Sequence, residues 1–286
     1  MHARIMSGPI VDSHVHFWDP GTLHYPWLDA LPTLKRSFLP PDYSAAIGEL
    51  AVEKIVAVEG NPRADEGQRE VELFDRLRQT DCRIAGVVAF VDLSNAATRD
   101  RTFDWLSDRE LVKGVRQNIQ GQPAGFALQR SFVSGVQEAG RRGLTFDLCV
   151  THDQLDEAIA LVEQCPGTRF VLDHCGKPAI RDQMQDPWRR DITRLAAHDN
   201  VWCKLSGLLT EADVACWREE DLLPYATHVV EQFGVSRVLY GSDWPVLTLA
   251  GDYGGWFGFT ERFSAAWSIE ERCDFYYQNA VRVYGL

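Results

Sequence analysis

No run in this 286-residue chain approaches the ~20 consecutive apolar residues that cross a bilayer, so nothing in it reads as a membrane span. Basic charge is scarce: 29 Lys and Arg stand against 41 Asp and Glu, leaving a formal charge of −12. Phosphate binding needs basic clusters and the counterion release they produce, so a nucleic-acid partner is excluded, as is an anionic membrane surface. An anionic small substrate stays open, because a few local cations can reverse the field inside a pocket. The seven cysteines are odd in number and lack any Cys-x-x-Cys spacing. Cys149 and Cys203 lie inside apolar runs and read as small buried hydrophobes in a reduced protein. The opening MHARIMSGPIVDSH lacks an apolar signal core and a cleavage site, and the expected location is cytoplasmic. There is no low-complexity segment, no linker, and no GxGxxG loop of the kind that cradles a dinucleotide.

What is present is alternation. Hydrophobic residues make up 45% of the chain, enough for a large core. Eight short β-rich runs recur, at 10–16, 54–58, 84–91, 112–116, 145–150, 169–173, 201–205 and 237–241. Several are nearly continuous apolar runs, as parallel strands covered on both faces require. Helix-period segments stand between them. Residues 66–79 align Val71, Phe74 and Leu77, residues 153–164 align Leu155, Ile159 and Val162, and 186–197 and 220–233 behave alike. Eight strand–helix alternations predict a single (β/α)8 barrel over residues 1–286, with an open doubly wound sheet as the runner-up. The Pro- and aromatic-rich stretch 17–50 is expected to form a loop with short helices over the barrel mouth, and 244–262 a second long loop.

In a barrel, reactive side chains project from the C-terminal ends of the strands. The first strand run ends Asp12-Ser13-His14-Val15-His16. Alternate residues share a face, so His14 and His16 can turn together toward one ion or one substrate oxygen. The sixth ends Asp173-His174-Cys175-Gly176-Lys177-Pro178, and the eighth Tyr240-Gly241-Ser242-Asp243-Trp244-Pro245. His174 and Asp243 therefore stand at corresponding heights. Arg116 ends the fourth run and Lys204 lies in the seventh. Either could stabilise an oxyanion or hold a carboxylate, and either could simply pair with a neighbouring acid. Glu59 and Asp147 are candidate acceptors for sugar hydroxyls, although Asp147 reads equally well as a structural partner of an Arg. His152 and Gln120 are further binding candidates. Trp18, Trp27 and Trp244 are candidate walls, with core packing the commoner role for any one tryptophan.

These residues carry a resemblance. HVH after the first strand, DHCGKP after the sixth and YGSDWP after the eighth resemble the amidohydrolase superfamily, and within it the branch of sugar-lactone hydrolases that includes L-fuconolactonases and L-rhamnonolactonases. 2-Pyrone-4,6-dicarboxylate lactonase is a more distant likeness. HFWDP, YPWL, KGVRQNIQ, FDLCVTHDQL and CKLSGL extend the likeness over residues 10 to about 250, with its order intact.

The resemblance implies a hydrolase that opens a sugar lactone, with Asp243 as general base and His14, His16 and His174 orienting the carbonyl. It implies a small-molecule substrate and a monomer or homodimer. The departures carry information. The fourth run ends Gly114-Val115-Arg116, without the inward lysine that bridges two metals in many superfamily members, and His152 is only an offset match to a fifth-strand histidine. At most one divalent ion, zinc by donor type, is expected on His14, His16 and Asp243, with no dinuclear centre. The branch implies that even this ion is dispensable. The competing readings are a lactonase for anionic lactones of the pyrone-dicarboxylate or muconolactone type, for which Arg116, Arg63, Lys177 and Lys204 are the available cations, a metal-dependent decarboxylase, and a non-catalytic sugar-acid binder.

Overall fold

The structure is a computed structural model that describes residues 8–286. Residues 1–7 of the opening segment, read above for a leader, lie outside the described residues. Eight parallel strands follow one another around the sheet: β1 (Ile10–Val15), β2 (Val52–Val58), β3 (Ile84–Phe90), β4 (Val112–Arg116), β5 (Thr145–Leu148), β6 (Arg169–Leu172), β7 (Val201–Leu205) and β8 (Val238–Tyr240). All eight coincide with the β-rich runs. The helices Gly67–Thr80, Leu155–Gln164, Trp188–Ala196 and Glu219–Phe233 match the periodic segments, and Ala96–Ser107 and Arg130–Arg141 fill the places after β3 and β4. Among the described residues no helix is long and apolar enough to cross a membrane.

The barrel closes at the C-terminal ends of β1 and β8. Val15 bridges Trp244, His16 N donates to the Trp244 carbonyl at 2.8 Å, and Asp243 N donates to the His14 carbonyl at 2.9 Å. Asp12 fastens the same seam. Its Oδ1 accepts from Ser242 N at 2.9 Å, and its Oδ2 accepts from the hydroxyls of Tyr43 (2.9 Å) and Tyr253 (3.0 Å). One buried carboxylate thus ties both closing strands to two adjacent helices, Pro40–Ile47 and Tyr253–Phe263.

Inside the barrel, Val11, Val56, Val58, Val88, Val171 and Leu239 meet Ala280, Val283 and Tyr284 of the C-terminal helix Asn279–Tyr284. Asn279 anchors that helix by donating to the Val235 and Val238 carbonyls. The opposite end opens under the 17–50 segment, which is a loop carrying the short helices Pro26–Ala30 and Pro40–Ile47. It is held down by Phe17, Phe38 and Tyr43 packing edge-on against Trp244, with ring centroids 5.3–6.0 Å apart. Each such side chain contributes about 1.5–3 kcal/mol of burial.

One expectation needs correction. Residues 244–262 are not a long loop. A 3-10 turn at Val246–Leu249 leads into an α-helix at Tyr253–Phe263. Gly254, Gly255 and Gly258 mask it in the sequence, since glycine disfavours helix by ~1 kcal/mol each. Burial of Tyr253, Trp256, Phe257 and Thr260 along one face, and the Asp252 cap on Gly255 N at 2.7 Å, outweigh that cost.

Asp12→Ala removes the acceptor of four buried donors at the seam: Ser242 N, the hydroxyls of Tyr43 and Tyr253, and His14 N at 3.3 Å. Each unsatisfied donor costs about 1–3 kcal/mol, so the variant should lose at least ~3 kcal/mol in urea unfolding. A loss under about 1 kcal/mol would show that the seam does not rest on Asp12.

Candidate active site

A cavity of about 370 Å³ opens at the C-terminal face of the strands. His16, His174, Asp243, Arg116, Gln120 and Trp27 line it, and His14 lies directly beneath. The convergence is tight. Asp243 Oδ1 is 3.7 Å from His14 Nε2, 3.5 Å from His16 Nε2 and 3.8 Å from His174 Nε2. The two first-strand histidines face each other through Nε2 at 3.1 Å.

Each ring is oriented from behind. His16 Nδ1 meets the Val58 carbonyl at 2.9 Å, and His174 Nδ1 meets Ser206 Oγ at 2.9 Å. His14 Nδ1 lies 3.1 Å from Lys204 Nζ and 3.2 Å from Asp173 Oδ1.

The backbone at two strand ends is forced into the left-handed region. After β6, His174, Cys175, Gly176 and Lys177 have φ of 52°, 55°, 68° and 47°, and after β8 Asp243 has φ of 61°. A non-glycine residue there costs about 1–3 kcal/mol and persists only where the surroundings impose it. Trp188 Nε1 holds the first turn by donating to the Cys175 carbonyl at 2.8 Å. Gly207 completes it: with φ at 65°, a Cβ built there would lie 2.6 Å from the His174 ring.

Burial dominates the protonation of the histidines. It pushes His174 down to about 4, against the opposing pull of Asp243. Burial, reinforced by Lys204, drives His14 well below its ordinary value. Burial alone would raise Asp243, but His174, His16 and His14 outweigh it and hold the carboxyl well below the usual range. At neutral pH the site is therefore an ionised carboxylate facing the neutral imidazoles of His14 and His174.

The remaining candidates divide. Arg116 lines the cavity, but three of its N–H groups are taken: Nε by Glu59 Oε1 (2.6 Å), one terminal nitrogen by Asp173 Oδ2 (2.9 Å), and the other by the Glu59 carbonyl (2.6 Å). Glu59 is fully buried, its second oxygen accepting from Asn61 N, and it stands behind Arg116 rather than on the cavity wall. Lys204 is also fully buried, against Asp147 Oδ2 (2.6 Å) and Asp173 Oδ1 (2.9 Å), beneath His14 and away from the cavity. Asp147 is its structural partner. Trp244 is packed under the mouth loop, while Trp27 lines the cavity with its Nε1 donating to the Gly60 carbonyl at 2.7 Å. His152, half-buried on a single turn after β5, is not among the lining residues, and Gln120 is.

Sequence reasoning assigned no role to Asp173, Ser206, Asn118 or Asn61. Asp173 carries a signal, a carboxylate closing an apolar strand directly before His174. Asn118 carries none, yet it lines the cavity and its Oδ1 is buried with no hydrogen-bond partner among the described residues.

His14, His16 and Asp243 fit a single divalent cation. Their donor atoms, 3.1–3.7 Å apart, are spaced as ligands about 2.0–2.2 Å from one ion would be. His16 is already oriented for it, since Nδ1–H on Val58 leaves a lone pair on Nε2. Such an ion would supply Lewis-acid polarisation of a carbonyl oxygen.

With this geometry in hand, comparison with known proteins is decisive for the family. An amidohydrolase family model matches residues 11–286. The chain belongs to the amidohydrolase family. The protein named L-fucono-1,5-lactonase from Burkholderia multivorans is 31% identical to this amidohydrolase over 96% of both chains. The 4-sulfomuconolactone hydrolase of Rhizobium radiobacter is 26% identical over 82% of this chain and 75% of its own. A crystal structure of a Burkholderia multivorans amidohydrolase with bound zinc superposes with a TM-score of 0.88 at 31% identity, covering 98% of this chain and all of the other.

Zinc titrated into chelator-treated protein should saturate at no more than one ion per chain, and His16→Ala should abolish that binding. Two tightly held ions, both lost with Asp243→Ala, would contradict the single-ion geometry.

Proposed function

We propose that this amidohydrolase opens a neutral sugar lactone, an aldonolactone of the L-fuconolactone class, to the free sugar acid. The observation that carries the reading is an ionised Asp243 whose Oδ1 lies 3.5–3.8 Å from three imidazole Nε2 atoms, at the floor of a cavity whose cations are already paired.

Asp243 takes a proton from water as the oxygen attacks the lactone carbonyl. The tetrahedral intermediate collapses with cleavage of the ring C–O bond, and Asp243 returns the proton to the departing hydroxyl. His174, with its Nδ1 on Ser206 Oγ and its Nε2 toward Asp243, and the N–H groups of Arg116 not taken by Glu59 and Asp173 stabilise the charge that develops on the carbonyl oxygen. Asn61, Asn118 and Gln120 offer neutral polar groups to ring hydroxyls, and Trp27 offers an aromatic wall. The relatives named for L-fucono-1,5-lactonase activity support the same class.

The cations separate this reading from its rival, a lactonase for anionic substrates such as the one the Rhizobium radiobacter relative is named for. The cavity's cations are Arg116, held by Glu59 and Asp173, and Lys177, held by Glu211 at 3.2 Å. Arg63 is exposed and paired with Asp65. Around the site Glu59, Asp147, Asp173, Glu211 and Asp243 outnumber Arg116, Lys177 and Lys204. A substrate carboxylate or sulfonate would enter a negative field with no free partner, at a cost of several kcal/mol.

A pH-indicator screen of neutral aldonolactones beside anionic lactones, with and without chelator, tests the proposal. The best neutral lactone should exceed the best anionic one in kcat/KM by roughly a hundredfold or more. Preference for an anionic lactone would reverse the assignment, and carbon dioxide release without lactone opening would point to the decarboxylase reading.

Asp243→Asn should lower kcat on that lactone by about 10²–10⁴, with the fold intact and KM changed only severalfold. An amide matches the carboxylate in shape but cannot accept a proton at neutral pH. Metal content measured beside the kinetics distinguishes loss of the base from loss of a ligand. Near wild-type turnover in the variant would remove Asp243 from the mechanism.

A further inference from the structure

The hydrogen bonds around His14 determine which ring nitrogen carries its proton. The deduction starts at His16. Its Nδ1 lies 2.9 Å from the Val58 carbonyl, which can only accept. With a single ring proton, His16 carries it on Nδ1 and presents a lone pair at Nε2. The 3.1 Å contact between the Nε2 atoms of His14 and His16 is then a hydrogen bond only if His14 donates. That places the His14 proton on Nε2 and leaves Nδ1 as an acceptor.

The donor at Nδ1 is Lys204. The ammonium of Lys204 is fully buried and surrounded by three acceptors: Asp147 Oδ2 at 2.6 Å, Asp173 Oδ1 at 2.9 Å and His14 Nδ1 at 3.1 Å. Its protons make hydrogen bonds to Asp147 Oδ2 and His14 Nδ1, and Asp173 Oδ1 is held beside it as an ion pair. Tyr284, reaching up from the C-terminal helix, donates to Asp147 Oδ2 at 2.8 Å and fixes that end. The donors along the path from Lys204 through His14 and His16 to the Val58 carbonyl then each meet an acceptor, and the one acceptor–acceptor contact, His14 Nδ1 against Asp173 Oδ1 at 3.2 Å, is offset by the charge of the Lys204 ammonium beside both.

We infer that Lys204 is a positioning residue that holds His14 in the Nε2–H tautomer, and that it thereby competes with a divalent cation for this histidine.

A cation on His14 Nε2 requires the other tautomer, with Nδ1–H turned toward Asp173 Oδ1 at 3.2 Å. The ring then presents an N–H to the Lys204 ammonium at 3.1 Å, where neither group can accept. The proton moves from one ring nitrogen to the other, and none enters or leaves the protein. A carboxylate alone behind His14 would strengthen the ligand, as the outer partners of metal-bound histidines do. The ammonium beside that carboxylate works against it. The cluster is thus spaced for an ion yet wired for a hydrogen-bonded chain without one. The inference concerns the side chains alone and stands or falls independently of the lactone assignment.

Long-range ¹H–¹⁵N spectra of chelator-treated protein labelled at histidine read the tautomer directly. His14 is assigned by the signal lost in His14→Gln. His14 should show a protonated Nε2 and an unprotonated Nδ1, and a protonated Nδ1 in the zinc-free protein would overturn the inference. The second measurement is zinc affinity, by competition with a chromogenic chelator, in the double variant Lys204→Met/Asp147→Asn. This removes one cation and one anion together, so the net charge near the site is unchanged and no buried carboxylate loses its only counterion: Asp173 keeps Arg116 and gains the His14 Nδ1–H. The folded double variant should bind zinc at least tenfold more tightly than the wild type. Equal or weaker binding would show that Lys204 does not oppose the ion. Should the double variant fail to fold, the wild-type spectra decide alone.

Discussion

Asp173 is the charge on which the open end of this barrel depends. It is fully buried where β6 ends, and one oxygen accepts from Arg116 on β4 while the other meets Lys204 on β7 and His14 on β1. Burial alone would raise its pKa, but Lys204, His14 and Arg116 outweigh it and hold the group well below the ordinary carboxylate range. Taking such ions out of water costs several kcal/mol each, and removing one partner strands the rest. The strand ends are therefore fixed relative to one another by charges that cannot separate cheaply.

This ionic layer sits between two different interiors. On one side lies the apolar plug of strand valines and the C-terminal helix, on the other the cavity with its imidazoles and Asp243. Tyr284 joins them, with its ring in the apolar cluster and its hydroxyl on Asp147. The C-terminal helix thus does more than close the far end of the barrel. By donating to Asp147 it fixes one of the acceptors of Lys204, and through Lys204 it reaches His14.

The same layer underlies the proposed preference for neutral over anionic substrates in a cavity lined by Arg116 and Lys177. A cation matters to a ligand only if its charge is uncompensated, and both are matched: Arg116 by the buried Glu59 and Asp173, Lys177 by the half-buried Glu211. What remains for a substrate is neutral: amides at Asn61, Asn118 and Gln120, the face of Trp27, and the dipoles of the imidazoles. That surface suits hydroxyl groups on a ring better than a charged substituent.

The sequence by itself determined the eight strands, their order, and the height at which His14, His16, His174 and Asp243 stand. These follow from local rules: a period of two along each strand, apolar runs for strands buried on both faces, and Gly or Pro where a strand must stop. It could not assign partners. Arg116, Lys204, Glu59 and Asp147 each read as possible ligand contacts, because a charged residue at a strand end looks the same whether it faces substrate or a counterion. Only closure of the barrel, which brings residues some 57 positions apart to within 2.6–2.9 Å, decided that these charges satisfy one another. Nor could spacing reveal the helix hidden behind three glycines at Tyr253–Phe263, whose stability comes from the core it packs on, or Asn118, whose place on the cavity wall depends on how the loop after β4 crosses the mouth. Local periodicity is written in neighbouring residues. Electrostatic pairing across the barrel is a property of distances that exist only once the chain has closed.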